Sequence, residues 1–313
     1  MRAATDDPLG TMVPPAAGRG SPNTWVLALD RHLGGAIEAA AAALIVAEIA
    51  ILFMGVVSRY FLQMPLVWSD EVASLLFLWL VSLGAVVAFR RGEHMRMTAL
   101  VAKATPKVRA FLDTVAITAA LAFLLLNLWP AYEHVLEEAA VTTPALDISA
   151  AWRAAALPVG LGLMALMSLL RLFKTADWRL AAAATGTVVA TGLLLWALQP
   201  LLPGLGKLNL VIFFVGVTAV TVLIGVPIAV SFGLATFGFL ALTTTLPVGV
   251  IVGRMDEGMS HIILLAVPLF VFLGLLIEAT GMARAMVAFP ATAPACSTST
   301  CNRCPLAPSA GWR

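Results

Sequence analysis

Residues 36–57 read AIEAAAAALIVAEIAILFMGVV and carry only two charged side chains, those of Glu38 and Glu48. A helix of this length, rising about 1.5 Å per residue, crosses the roughly 30 Å hydrocarbon core of a bilayer. Further apolar runs follow at residues 72–89, 115–130, 150–170, 180–198, 208–226 and 227–246, and an eighth stretch, 262–279, either spans or turns back. The sequence therefore predicts an all-α, polytopic membrane protein.

The composition of the whole chain supports this class. Its 313 residues are 61% hydrophobic and 12% charged, with a mean hydropathy of +0.97, whereas soluble domains have about 25% charged residues. This balance excludes a soluble enzyme, a disordered hub and a nucleic-acid binder. The histidines are isolated, and no metalloprotease, nucleophile-elbow, P-loop or dinucleotide motif occurs, so we predict no catalysis, no resident metal and no cofactor.

The loops between the apolar runs differ in the sign of their charge. Basic residues dominate after the second run, at Arg90, Arg91, Arg96, Lys103, Lys107 and Arg109, while acidic ones dominate after the third, at Glu133, Glu137, Glu138 and Asp147. By the positive-inside rule, the amino terminus is predicted to be cytoplasmic. The first four runs form a unit whose beginning and end are both predicted to lie on that side. We divide the chain into a disordered lead (1–29), a four-helix unit (30–175), a connecting helix with its linker (176–206), a second block (207–289) and an atypical tail (290–313).

Polar residues concentrate at the two ends of the second run. Arg59, Trp68, Asp70 and Glu71 surround its beginning, and Arg90, Arg91 and His94 follow its end. One interpretation is structural, because aromatic and charged residues anchor helices at the membrane surface and acids favour helix amino ends. The other is a polar edge that contacts another protein or a second membrane unit.

The same residues carry a family resemblance. The segments RY (59–60), WSDE (68–71), LWL (78–80), LGA (83–85) and RRGEHMR (90–96) resemble the small, DctQ-type membrane subunit of tripartite ATP-independent periplasmic (TRAP) transporters. The second block is similar to the opening of the large, DctM-type subunit, through GVPIA (225–229), LLAVPLF (264–270), LG (273–274) and GMAR (281–284). The chain thus resembles a fused small subunit and truncated large subunit.

The resemblance implies transport. In this family a periplasmic solute-binding protein delivers a small organic acid, such as a dicarboxylate or sialic acid, to an inner-membrane pair. The large subunit imports it with sodium in an elevator-like motion, and the small subunit belongs to the static scaffold. The implied partners are that binding protein, the lipid bilayer and, as an open alternative, a separate complete large subunit.

Three further features carry hypotheses. Glu48 lies at membrane depth, where we favour an interhelical hydrogen bond or ion pair over a proton relay. Pro268, Gly274 and Glu278 belong either to a proline-kinked span or, as the resemblance implies, to a re-entrant hairpin beside an ion or substrate site. Residues 250–262 predict an interfacial amphipathic helix whose charges lie between its apolar positions.

The tail departs from the rest of the chain. It holds all three cysteines, Cys296, Cys301 and Cys304, and three irregularly spaced thiols do not make the four-ligand site that zinc requires. We hypothesise an out-of-frame or truncated end. Two functions therefore stay open, a fused transporter component and a non-transporting scaffold, assembly subunit or inactive relic.

Overall fold

The computed structural model describes residues 24–91, 104–175, 178–200 and 206–282. Within these ranges the regular structure is helical, and extended backbone pairs only at a bridge between Thr142 and Ser149. The helices are α1 (Thr24–Tyr60), α2 (Val67–Arg91), α3 (Pro106–Glu138), α4 (Ala151–Ala154), α5 (Ala156–Thr175), α6 (Trp178–Ala197), α7 (Leu208–Val211), α8 (Thr218–Ile224), α9 (Ile228–Thr243), α10 (Gly249–Met259) and α11 (Ala266–Ala279). The predicted lead up to residue 23, His94 and the tail lie outside the described residues.

Five helices in the described ranges are long and apolar enough to cross a membrane: Ala28–Tyr60, Val67–Arg91, Pro106–Glu138, Ala151–Phe173 and Trp178–Ala197. They confirm the predicted all-α, polytopic fold. The third run was predicted to end at Pro130, but that residue lies inside α3, which continues to Glu138. Membrane helices tolerate an internal proline because neighbouring groups satisfy the freed backbone, so Pro130 is not a helix end.

The four-helix unit consists of α1, α2, α3 and α5, with α4 as a single turn before α5. Gly34 of α1 lies beside Arg90, and Gly55 lies beside Ser69, so α1 and α2 run antiparallel. Helices α3 and α5 pack together, and α5 also packs on α2. Their shared apolar core includes Ile37, Leu83, Val86, Phe89, Ala116, Ala120, Phe123 and Met167.

The second block docks on this unit through a helical hairpin and a short helix. The six π-helical residues Ile212–Val217 join α7 to α8, and Gly225 then ends α8 with a φ of 98°. That left-handed conformation favours glycine, and Pro227 starts α9 directly afterwards. The turn brings Val226 and Val230 into the core of the four-helix unit.

The described residues 262–282 belong to a second compact unit. A short 3-10 turn, Ile262–Leu265, directly precedes α11, which begins at Ala266. Pro268 therefore lies in the first turn of α11, where its missing N–H costs no helix hydrogen bond. Pro268 thus lies near the start of α11 and not at its middle, and Gly281, with a φ of 70°, follows the end of that helix.

Candidate functional site

The residues predicted around the start of α2 form a largely exposed edge. Arg59 and Asp70 make a salt bridge of 3.8 Å between side chains that are each about 60% exposed. Trp68 is partly exposed beside them, and the Ser69 hydroxyl donates to the carbonyl of Leu66 over 2.7 Å. This edge joins the first two helices by weak surface interactions.

Glu71 has a more specific role in the structure. Its carboxylate accepts hydrogen bonds from the backbone N–H groups of Ala145, over 2.7 Å, and Leu146, over 3.0 Å. Carboxylate acceptors strengthen such bonds. The indole of Trp79, two turns further along α2, donates to the carbonyl of Trp152 over 3.0 Å. The Glu71 bonds hold residues 139–150, the loop after α3, against the start of α2, and the Trp79 bond holds α4 against the middle of α2.

Arg90 and Arg91 lie at the other end of α2. Arg90 approaches Glu38 at 3.1 Å and Asp30 at 3.8 Å, and Arg91 approaches Glu38 at 3.4 Å. Gly34 makes room for this network, because a Cβ at that position would lie 2.1 Å from the Arg90 guanidinium carbon. The predicted set of polar residues is thus split between two ends about 30 Å apart, at 1.5 Å per residue. It does not form one site.

Glu48 is fully buried in α1, and neither of its carboxylate oxygens has a hydrogen-bond partner among the described residues. The interhelical hydrogen bond or ion pair predicted for it is therefore wrong. The contacts of Gly34 with Arg90 and of Gly55 with Ser69 place Glu48 opposite the middle of α2. That stretch is mostly apolar, with Ala73 and Phe77 buried, and its hydroxyl residue, Ser74, makes no hydrogen bond to Glu48.

A cavity of about 490 Å³ lies between the four-helix unit and the second block. Its walls come from α2, α3, α5, α9 and α10 and are almost entirely apolar, with Ser82 and Thr236 as small polar exceptions. The charged lining residue, Arg254, already pairs with Glu257 over 2.6 Å. An anionic solute would therefore find no free counter-charge in this cavity.

Asp256 of α10 is the charged residue that connects the two parts. It was predicted to lie among the charges between the apolar positions of an amphipathic helix, and its side chain is only 8% exposed. One carboxylate oxygen, Oδ2, lies 3.4 Å from Nη2 of Arg153 and 3.9 Å from Nε2 of His134. Val252, one turn earlier, packs with Leu124, Ala131, Leu157 and Leu161. The helix itself was predicted correctly, whereas the burial of Asp256 was not predicted.

The residues predicted for an ion or substrate hairpin lie on α11. Pro268 is at its first turn, and Gly274 and Glu278 are exposed further along. The re-entrant hairpin that the resemblance implies for these residues stays a prediction. Among the residues that the structure describes, no three His, Cys, Asp or Glu side chains cluster in a way that could hold a metal ion.

Comparison with known proteins gives two family matches in succession. Residues 48–177 match the DctQ component of tripartite ATP-independent periplasmic transporters, and residues 215–293 match the DctM component. Together the two matches cover more than half of the chain. The chain belongs to the TRAP transporter permeases. It is a transporter component rather than an enzyme.

Similar proteins include both fused and separate TRAP permeases. The chain is 27% identical over 286 residues to the sialic acid TRAP transporter permease protein SiaT of Haemophilus influenzae, covering 85% of this chain and 44% of that one. It is 27% identical over 146 residues to the sialic acid TRAP transporter small permease protein SiaQ of Vibrio cholerae, covering 47% and 84%. It is 26% identical over 225 residues to the isethionate TRAP transporter permease protein DctMQ of Oleidesulfovibrio alaskensis, covering 71% and 34%. This TRAP permease chain thus spans less than half the length of the two longer relatives.

Proposed function

We propose that this TRAP permease component serves sodium-driven import of a small organic anion, received from a periplasmic solute-binding protein at the bacterial inner membrane. The observation that carries the proposal is the succession of DctQ-type and DctM-type sequences in one chain, whose described residues up to His261 belong to one compact unit. Sialic acid and isethionate, the solutes named for its relatives, are each small acids with one anionic group. A monocarboxylate or sulfonate is therefore the first candidate, and a C4-dicarboxylate the second.

Within this function, we assign the four-helix unit to the static scaffold. Its long helices share an apolar core, and the cavity beside them has apolar walls. The solute and ion path would then belong to DctM-type sequence, including the α11 region with Pro268, Gly274 and Glu278, since transporters place ligands at interrupted helices.

Uptake measurements test the proposal in the source bacterium. A strain lacking this gene, with and without a plasmid copy, is given radiolabelled sialic acid, isethionate or succinate in sodium and in potassium buffer. We expect sodium-dependent uptake of one probe to disappear on deletion and to return with the plasmid. Uptake of all three probes at the parental rate in the deletion strain would contradict the proposed substrate class.

A second candidate is a scaffold that supports a separate complete DctM-type subunit. The extensive packing within the four-helix unit favours a structural role of this kind. Reconstituting the purified chain in liposomes with the solute-binding protein distinguishes the two. Uptake by the chain alone indicates an autonomous transporter, whereas uptake that appears only when a complete DctM-type subunit is added indicates the scaffold.

The proposed orientation places the amino terminus in the cytoplasm and the turn between α1 and α2 outside. Because residues 1–295 contain no cysteine, single cysteines can report it in a chain whose three tail cysteines are replaced by serine. We expect a membrane-impermeant maleimide to label Gln63→Cys in intact cells, and Lys107→Cys only after the membrane is opened. The reverse pattern would show that the chain is inverted.

A further inference from the structure

The short helix α10 carries three charged residues in very different surroundings. Arg254 and Glu257 pair with each other over 2.6 Å and are 76% and 68% exposed. Asp256, between them in sequence, is 8% exposed. Since removing a charge from water is costly without a partner, the burial of this one carboxylate needs a specific compensation.

Oδ2 of the carboxylate is compensated by the four-helix unit, whereas Oδ1 is buried without a hydrogen-bond partner among the described residues. Arg153, in α4, and His134, near the end of α3, both approach Oδ2 of Asp256, at 3.4 Å and 3.9 Å. The Arg153 side chain is 31% exposed and that of His134 is 16% exposed. Three partly or fully buried groups from three helices thus meet where the second block touches the four-helix unit.

The described helix of the covalent connection, α6, contacts α3 but buries little of its own surface. In α6 Ala184 is the buried residue, and large apolar side chains such as Val189, Leu193 and Trp196 are more than half exposed. The packed contacts of the second block are those of the α8–α9 turn and of α10, where Ile251 and Val252 are buried. Apolar contacts are not directional, so they do not by themselves fix the position of α10 along its neighbours.

We propose that Asp256 is a positioning residue that fixes α10, and with it the part of the second block up to His261, on the four-helix unit through its charge pair with Arg153. A charge pair contributes direction and register where apolar contacts contribute burial. The noncovalent contact then holds the two parts in place even when the chain between them is cut. The inference concerns assembly, and it stands or falls independently of the transported solute.

A cut chain tests this inference. A protease site is inserted among residues 201–205 of the full chain, which carries an affinity tag at its amino end and an epitope at its carboxyl end. The purified chain is cleaved in mild detergent and immobilised by its amino end, and the rate at which the epitope fragment leaves the resin is measured. The parent chain is expected to retain its fragment.

In Asp256→Asn and in Arg153→Gln, we expect the fragment to leave about tenfold faster. The first change removes the charge that draws Arg153 to α10, and the second leaves the buried Asp256 carboxylate without its charge partner. The exchanged pair, Arg153→Asp with Asp256→Arg, should release it more slowly than either single reversal. Glu257→Gln is the matched control, because it removes an acid from the same helix at an exposed position, and it should behave like the parent.

Two results would overturn the inference. One is a parental release rate in Asp256→Asn, which keeps the shape of the side chain and therefore tests the charge alone. The other is an exchanged pair that releases its fragment as fast as the single reversals. Each uncut variant is first checked for a single symmetric peak in size exclusion; if a reversal variant fails this check, Asp256→Asn and Arg153→Gln decide the outcome.

Discussion

The two ends of the four-helix unit both carry charge networks, and they differ in burial and in reach. At the Arg90 end, Arg90 and Arg91 pair with Asp30 and Glu38 of the neighbouring helix, with side chains that are a quarter to a half exposed. At the opposite end, which we call the loop end, Asp256 is nearly buried and meets a partner more than 100 positions away in sequence. The Arg90 network joins two neighbouring helices of the same unit, whereas the Asp256 network joins the second block to that unit. The difference lies in the burial of the charges and in which helices they connect, not in the number of charges.

Replacing the arginine at each end is the strongest way to test this comparison. Arg153→Ala leaves Asp256 buried without its closest counter-charge, and removing one member of a buried pair costs about 3–5 kcal/mol. We expect a clear drop in the thermal unfolding temperature in detergent, measured by intrinsic tryptophan fluorescence. Arg90→Ala is the matched change at the more exposed end and should lower it less. Equal drops would show that burial does not distinguish the two ends.

Glu71 tests whether the loop end is held by more than one contact. Glu71→Ala removes the acceptor of the Ala145 and Leu146 N–H groups, and a hydrogen bond to a charged group contributes about 1.5–3 kcal/mol. We expect faster hydrogen exchange in residues 139–150, with little change at the Arg90 end. Asp70→Ala, next in sequence and exposed, is the control. Unchanged exchange in the loop would mean that its own bridge between Thr142 and Ser149 is sufficient.

Glu48 lies between the two ends and lacks the partners that both ends have. A buried polar group without a hydrogen bond costs about 1–3 kcal/mol, so Glu48→Leu should raise the unfolding temperature, and Glu48→Gln should change it less. Sodium-dependent uptake should persist in both variants. If Glu48→Gln abolished uptake while the protein remained folded, Glu48 would instead act in ion or proton movement.

The sequence predicted the features that depend on residues close together in the chain. The apolar runs became helices because backbone groups must be satisfied within each segment in the bilayer, and the apolar spacing of residues 250–262 correctly indicated a helix. The pattern grouped Asp256 with the other charges of this amphipathic helix, but Asp256 follows Val252 by one helical turn and so shares its side of the helix. Its partners Arg153 and His134 could not be predicted, because they come near only when the second block docks.

The exposed pair of Arg59 and Asp70 gives the smallest expected effect and separates burial from location. It lies at the loop end, yet both side chains are about 60% exposed, and such pairs contribute about 0.2–1 kcal/mol. We measure the unfolding temperature of the parent chain, of Arg59→Ala, of Asp70→Ala and of the double variant. The coupling energy from this double-mutant cycle should fall in this range and shrink in high salt. A large, salt-insensitive coupling would mean that the loop end strengthens every pair it contains. A small one would leave burial as the property that sets Asp256 apart.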